Sequence, residues 1–203
     1  YYDRFPFWRT WLEALGIAVE VSPPTNKQII NRGLEETVAE PCCPIQTAHG
    51  HVAALLDEGV DMILAPNVID SESEAPGVES YLCPWAQTLP FVLRGMPSLA
   101  GREEMVLAPT VHFREGPAVV EKELWAAAKR LGVGRARHRT AVKAAFAAQE
   151  IFGEKVLAAG AKALRAIDDA GEQGIVIAGR PYNIFDKEIN IDAPSKLRDY
   201  YGM

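Results

Sequence analysis

Val60-Asp61-Met62-Ile63-Leu64-Ala65-Pro66 and Met105-Val106-Leu107-Ala108-Pro109 are the two stretches on which the fold turns. Each is a nearly continuous apolar run closed by a proline, and the first follows a helical pattern. A strand with apolar side chains on both faces suits a parallel sheet that carries helices above and below it. Upstream, Phe5-Pro6-Phe7-Trp8-Arg9-Thr10-Trp11-Leu12-Glu13-Ala14-Leu15-Gly16 places Phe7/Trp8, Trp11/Leu12 and Leu15 at helical spacing and ends on a glycine suited to the position after a helix. Ile17-Ala18-Val19-Glu20-Val21 reads as a short strand and Ser22-Pro23-Pro24-Thr25 as a loop. Since this helix and strand are half of a β-α-β unit, Tyr1 is expected not to be the natural start of the protein.

Further along, Thr25 or Asn26 can cap a helix reaching about Gly33, and Pro44 opens a second that runs through Ala48, Val52, Leu55 and Leu56 to Gly59. Residues 67–80, acidic and rich in Ser, Gly and Pro, read as loop, and Pro84 starts a helix through Gln87, Phe91 and Leu93. Helical periodicity fills Pro117 to Leu131 and Arg137 to Ala170, with a bend expected at Gly153 or Gly160. Gly174-Ile175-Val176-Ile177-Ala178-Gly179 reads as a strand bounded by glycines. The expected architecture is therefore α/β. Residues 1–170 form a three-layer Rossmann-like domain with a short parallel sheet, and residues 171–203 begin a second α/β unit that stops before completion.

Composition narrows the function. With 203 residues, 48% hydrophobic and 24% charged, the chain can bury a full core. A net charge of −6 gives no basic footprint for nucleic acid. No stretch reaches the roughly 18 apolar residues that a membrane span needs, and the amino terminus lacks a signal-peptide layout, so a cytoplasmic location is expected. Three cysteines make no disulfide framework and fit a reducing compartment. No P-loop, GxGxxG, HExxH or GxSxG pattern is present, so nucleotide hydrolysis within this chain has no support.

The candidate site residues are the thiols. In Glu40-Pro41-Cys42-Cys43-Pro44 and Leu82-Cys83-Pro84-Trp85 a proline follows the cysteine and favours helix initiation, which puts the sulfurs at helix N-termini, where free N–H groups favour an anion. Both turns are expected at the carboxyl edge of the sheet, the ligand-binding edge of open α/β folds. Spacing alone does not separate this reading from packing as small hydrophobes, since no CxxC pair marks a zinc or cluster site. His49 and His51 stand two apart and on a helix cannot meet one metal, although either can line the site or pack near the helix start. His112 and His138 read as surface or structural residues. Arg180, just after the last strand, is placed to hold a phosphate or carboxylate, or else an interdomain ion pair. The acidic loop from Asp70 to Glu79 lacks the ligand order of a calcium loop and reads as solvated.

Taken in order, Phe5-Pro6-Phe7-Trp8, Ser22-Pro23-Pro24-Thr25-Asn26-Lys27, Glu40-Pro41-Cys42-Cys43-Pro44 with His49-Gly50-His51, Cys83-Pro84-Trp85-Ala86-Gln87-Thr88-Leu89-Pro90, and Ala178-Gly179-Arg180-Pro181-Tyr182 with Asn190 resemble the DUF2229 region. That region belongs to large proteins described as acyl-CoA dehydratase activase-related or as CoA-substrate-specific enzyme activases. The resemblance implies ATPase modules of the acetate-kinase/actin type before this region and a dehydratase-subunit-like part after it, in an anaerobic system. It also implies a likeness to 2-hydroxyacyl-CoA dehydratase subunits, whose Rossmann-like domains hold a [4Fe-4S] cluster through cysteines for low-potential electron transfer. The family pattern C-x-P-x-K followed by H-G-H falls on Cys42, Pro44, Gln46, His49, Gly50 and His51, with Gln46 in place of the lysine, and the second family cysteine falls on Cys83. On this resemblance Cys42 and Cys83 are the metal ligands and Cys43 is an additional cofactor-site residue. A later third cysteine has no counterpart here, so Cys43, another ligand type or a neighbouring domain would have to complete a cluster. A scaffold or acyl-CoA-binding module that docks the ATPase part to an acyl-CoA dehydratase is the alternative function, and zinc at Cys42, Cys83 and a histidine is the alternative metal.

Overall fold

A computed structural model describes residues 2–73, 75 and 77–202. Helix α1 (Phe5–Leu15) turns Phe7, Trp8, Trp11 and Leu15 inward at helical spacing and ends at Gly16, whose φ of 81° fits a residue without a Cβ. Asn26 caps α2 (Lys27–Glu36), its side chain accepting from the Ile29 N–H at 3.1 Å. Helices α3 (Cys43–Asp57) and α4 (Pro84–Leu93) each carry a proline in the first turn, and α5 (Pro117–Arg130) begins the same way.

The two apolar runs do pair. Strand β1 (Ile63–Leu64) lies parallel to β3 (Val106–Leu107), and β2 (Asn67–Asp70) lies parallel to β4 (Thr110–His112). The partners Ile63/Val106, Leu64/Leu107, Asn67/Thr110 and Val68/Val111 share one offset (106 − 63 = 107 − 64 = 110 − 67 = 111 − 68 = 43), so both pairs keep one register and Pro66 falls opposite Pro109. Ala65 and Asn67 donate across the gap to the carbonyls of Leu107 (3.0 Å) and Pro109 (2.8 Å). The nitrogen of Pro66 therefore faces away from the partner, and its missing N–H leaves that side of the ladder intact.

Side-chain alternation along this ribbon separates two cores. Leu107 and Leu64 join Trp11, Val111, Phe113, Val120 and Leu124, where Phe7 meets Phe113 and Phe146 edge-on at 5.0 and 5.1 Å. Ile63, Ala65 and Val106 join Val52, Ala53, Leu93, Met96 and Leu99. The chain is thus a mixed α/β fold, mostly helical. The expected Rossmann-like three-layer sheet is not what the two short parallel pairs amount to.

Three local expectations need correction. Ile17–Val21 enters no ladder, and neither does Gly174–Gly179. Ile175 and Val176 are 51% and 84% exposed. Residues 67–70, read as loop, form β2 because their backbone completes the pairing begun at Ile63. The last long helix, α6 (Arg135–Ala170), continues unbroken through Gly153 and Gly160. It buries only His138, Ala141, Val142 and Ala145, and leaves Val156, Leu157 and Leu164 exposed. Two short helices follow, α7 (Pro181–Phe185) and α8 (Ala193–Tyr201). Among the described residues no helix is long and apolar enough to cross a membrane. The acidic loop includes Glu74 and Pro76, which lie outside the described residues, as does Tyr1. Within the described part Arg4 pairs with Glu72 and bonds Ser71 at 2.6 Å, and Arg114 pairs with Glu79 at 2.8 Å.

Candidate functional site

Cys42 is the N-cap residue of α3 and Cys43 its first residue, while Cys83 is the N-cap residue of α4. Cys42 and Cys43 are exposed and Cys83 is half-buried, so none of the three serves as a core hydrophobe. Their carbonyls enter the helices: that of Cys42 accepts from Ile45 and Gln46 N–H, that of Cys83 from Gln87 N–H, and that of Cys43 from the Thr47 hydroxyl at 2.9 Å. Pro41, just before Cys42, and Trp85, just after Pro84, line one small void together with Val38, His49 and Val92. The two cysteine-proline turns are therefore neighbours. Leu34, Val38 and Trp85, which line the space beside Pro41, are exposed and give the rim an apolar border. The Cys83 turn does lie at the carboxyl end of β2, where Tyr81 bridges Asp70 and the Leu82 N–H donates to the Ile69 carbonyl at 2.9 Å, whereas the Cys42 turn follows α2 and a loop rather than a strand.

A [4Fe-4S] cluster wants four ligands. Among the described residues no group of three or more His, Cys, Asp or Glu is gathered to hold a metal ion. A closed cluster site, or a zinc site using a histidine, therefore does not fit the residues of this chain alone.

The His49-Gly50-His51 motif has a packing explanation. Gly33 of α2 and Gly50 of α3 lie where the helices cross: a methyl group on Gly50 would strike the Ile29 carbonyl oxygen, and one on Gly33 that of Gln46. His49 is buried and its Nδ1–H donates to the Ile45 carbonyl at 2.7 Å, a structural role. His51 leaves the helix on another side, as two-residue spacing requires.

His51 anchors a set of residues that the sequence did not bring together. Its Nδ1 is 2.8 Å from Ser22 Oγ and its Nε2 is 3.0 Å from Thr25 Oγ1. Thr25 donates its hydroxyl hydrogen to Asp186 Oδ2, which also accepts from Tyr2 at 2.9 Å, while Asp186 Oδ1 accepts the Glu188 and Ile189 N–H groups at 3.1 Å each. Burial works against the Asp186 carboxylate, but the bonds from Thr25, Ile189, Tyr2 and Glu188 outweigh it and leave its pKa below the ordinary value. Burial pushes the His51 pKa below its ordinary value, with Asp186 partly offsetting the effect. Ser22-Pro23-Pro24-Thr25 and His51 were visible as motifs. Asp186 gave no local signal apart from the Arg180-Pro181-Tyr182 turn that precedes it.

Arg180 is exposed at the start of the five-residue α7. The strand expected to aim it over a sheet edge is not formed. His112 pairs with Glu123 through Nδ1 at 2.6 Å, and His138 is fully buried with Nε2 on the Glu121 carbonyl at 2.8 Å.

With fold and rim in view, the class of the chain is that of a domain from CoA enzyme activase-related proteins. It belongs to the family described as the CoA enzyme activase uncharacterised domain (DUF2229), which matches residues 1–202. Neither a curated protein nor a solved structure matches it.

Proposed function

We propose that this chain is a cysteine-bearing module of an ATP-dependent activase/2-hydroxyacyl-CoA dehydratase-related system, contributing Cys42 and Cys83, with Cys43 beside them, to an iron–sulfur site that a neighbouring domain or partner completes. The observation that carries this reading is the adjacency of the two cysteine-proline turns, whose Pro41 and Trp85 line one void while the thiols stay at the surface. Helix N-termini favour the thiolate that ligates iron. The apolar border of Leu34, Val38 and Trp85 gives a neighbour something to cover. A cluster bound there would supply one-electron chemistry. Anaerobic reconstitution of the full activase-related protein with iron and sulfide, followed by EPR of the reduced sample, tests the reading. A cluster signal that is unchanged in the Cys42→Ala/Cys83→Ala protein would remove it.

A second reading is a docking scaffold between the ATPase part and an acyl-CoA dehydratase. It is favoured by Gly174–Gly179, an apolar run without a ladder and with Ile175, Val176 and Ile177 exposed. Calorimetric titration with an acyl-CoA tests its ligand-binding form, in which Arg180 holds the anion. Absence of heat at millimolar ligand would remove that form and leave docking.

A further inference from the structure

The Ser22, His51, Thr25 and Asp186 chain lies apart from the cysteines and has the hydrogen-bond order of an activated hydroxyl. Thr25 Oγ1 has one hydrogen and gives it to Asp186. Toward His51 it can only accept, so His51 carries its hydrogen on Nε2. Nδ1 then presents a lone pair, and the group 2.8 Å from it is the Ser22 hydroxyl, which must be the donor. Each link is fixed by the one behind it, back to a buried carboxylate held by two backbone N–H groups and a tyrosine hydroxyl. Ser22 itself is half-buried and not enclosed in the core.

We propose that Ser22 is a nucleophile for activated acyl compounds, thioesters or oxoesters, with His51 Nδ1 as its general base and Thr25 and Asp186 as positioning residues. In the acylation step Ser22 Oγ bonds to the acyl carbon while its proton passes to His51 Nδ1. The bond from that carbon to sulfur or oxygen breaks, and the leaving thiolate or alkoxide takes the proton from His51. Water then attacks the acyl carbon as His51 Nδ1 accepts its proton, and the bond from that carbon to Ser22 Oγ breaks as His51 returns the proton to Oγ, releasing the carboxylic acid. The Lys27 and Gln28 N–H groups lie in the first turn of α2, where a helix leaves its N–H groups without an intrahelical partner. They are the donors this segment offers to a developing oxyanion. This inference is independent of the iron–sulfur reading, since no cysteine takes part.

The test is labelling of the chain with a fluorophosphonate, located by peptide mass spectrometry. One adduct is expected on Ser22, absent in Ser22→Ala and slowed by about 100-fold or more in His51→Gln, in keeping with loss of a general base. The labelling rate of the unmutated chain should rise with pH to a plateau, with its midpoint below pH 6.5, because His51, with Asp186 as the charged group near it, loses its proton more readily than a free histidine. Asp186→Asn should shift that profile, which a merely structural role would not do. In a second arm, a Cys42→Ser/Cys43→Ser/Cys83→Ser background, where no thiol can consume the acyl donor, is given acetyl-CoA or p-nitrophenyl acetate. Acetylation of Ser22 by the first places thioesters in the class, and acetylation by the second alone restricts it to oxoesters. No Ser22 adduct, a rate unchanged in His51→Gln, or labelling without acylation from either donor would overturn the proposal. If His51→Gln fails to fold, the pH profile of the unmutated chain decides, and a rate independent of pH would overturn it as well.

Discussion

Gly50 of α3 lies directly against the carbonyl oxygen of Ile29 on α2, and this contact sets how closely the two helices cross. Backbone meets backbone there, so an added methyl group has no flexible neighbour to displace. Gly50→Ala is expected to destabilise the fold by about 1–3 kcal/mol, the usual cost of overpacking, and Gly33→Ala by a similar amount. Chemical denaturation of each variant checks this. A midpoint equal to that of the unmutated chain would show that the helices cross with room to spare.

The carboxylate of Asp186 ties residues 171–202 to the body, since it is buried and its partners Tyr2 and Thr25 come from the other end of the chain, where the Tyr2 ring also meets Phe185 at 6.2 Å. Asp186→Ala leaves those two hydroxyls without their acceptor at a cost of about 1–3 kcal/mol. Hydrogen exchange in residues 181–192 should quicken while exchange in α1 is unchanged. Uniform exchange in both proteins would mean that other contacts hold the segment.

Acid should weaken the fold in two steps. His51 has a folded pKa below the ordinary 6.5, so the unfolded chain takes up its proton first, and stability falls as the pH drops below about 6.5 until the folded His51 also protonates. Asp186 is held below its ordinary 3.8, so its contribution is complete above about pH 4 and is lost as the pH falls through the folded value. Glu72, where burial is outweighed by the Arg4 contact, adds to the lower step. His51→Gln should abolish the upper step alone in pH-dependent melts, and persistence of that step would assign it to another group.

The two halves of α6 should respond differently to truncation. Phe7→Ala, which empties the aromatic cluster against α6, is expected to cost about 3–5 kcal/mol. Leu157→Ala and Leu164→Ala remove exposed side chains and should stay within about 0.5 kcal/mol. Thermal melts of the three variants check the contrast, and a large loss at Leu157 would reveal a contact covering that face.

Much of the helical framework could be read from the residues because its signals are local. Pro44 and Pro84 open helices, Gly16 closes one, and Asn26 caps another within three residues of its partner Ile29. The two proline-ended runs were legible as strands for the same reason, whereas their pairing, between Ile63 and Val106 and between Leu64 and Leu107, is set by the folded chain. Ile17–Val21 and Gly174–Gly179 were read as strands on composition, but β propensity expresses fit to a neighbouring strand, and neither run has one. The placing of the cysteines at helix N-termini followed from the proline after each. The Ser22–His51–Thr25–Asp186 chain did not, since Thr25 and Asp186 stand 161 positions apart and only the folded backbone brings them together.

Binding of Co²⁺ to the full activase-related protein under anaerobic conditions, followed by its thiolate-to-metal charge-transfer absorbance, tests most directly that the two cysteine-proline turns contribute to one metal-binding rim. The account predicts an absorbance that requires both Cys42 and Cys83, falling sharply in either Cys42→Ser or Cys83→Ser. An absorbance indifferent to Cys83→Ser, or none in the unmutated full protein, would contradict it.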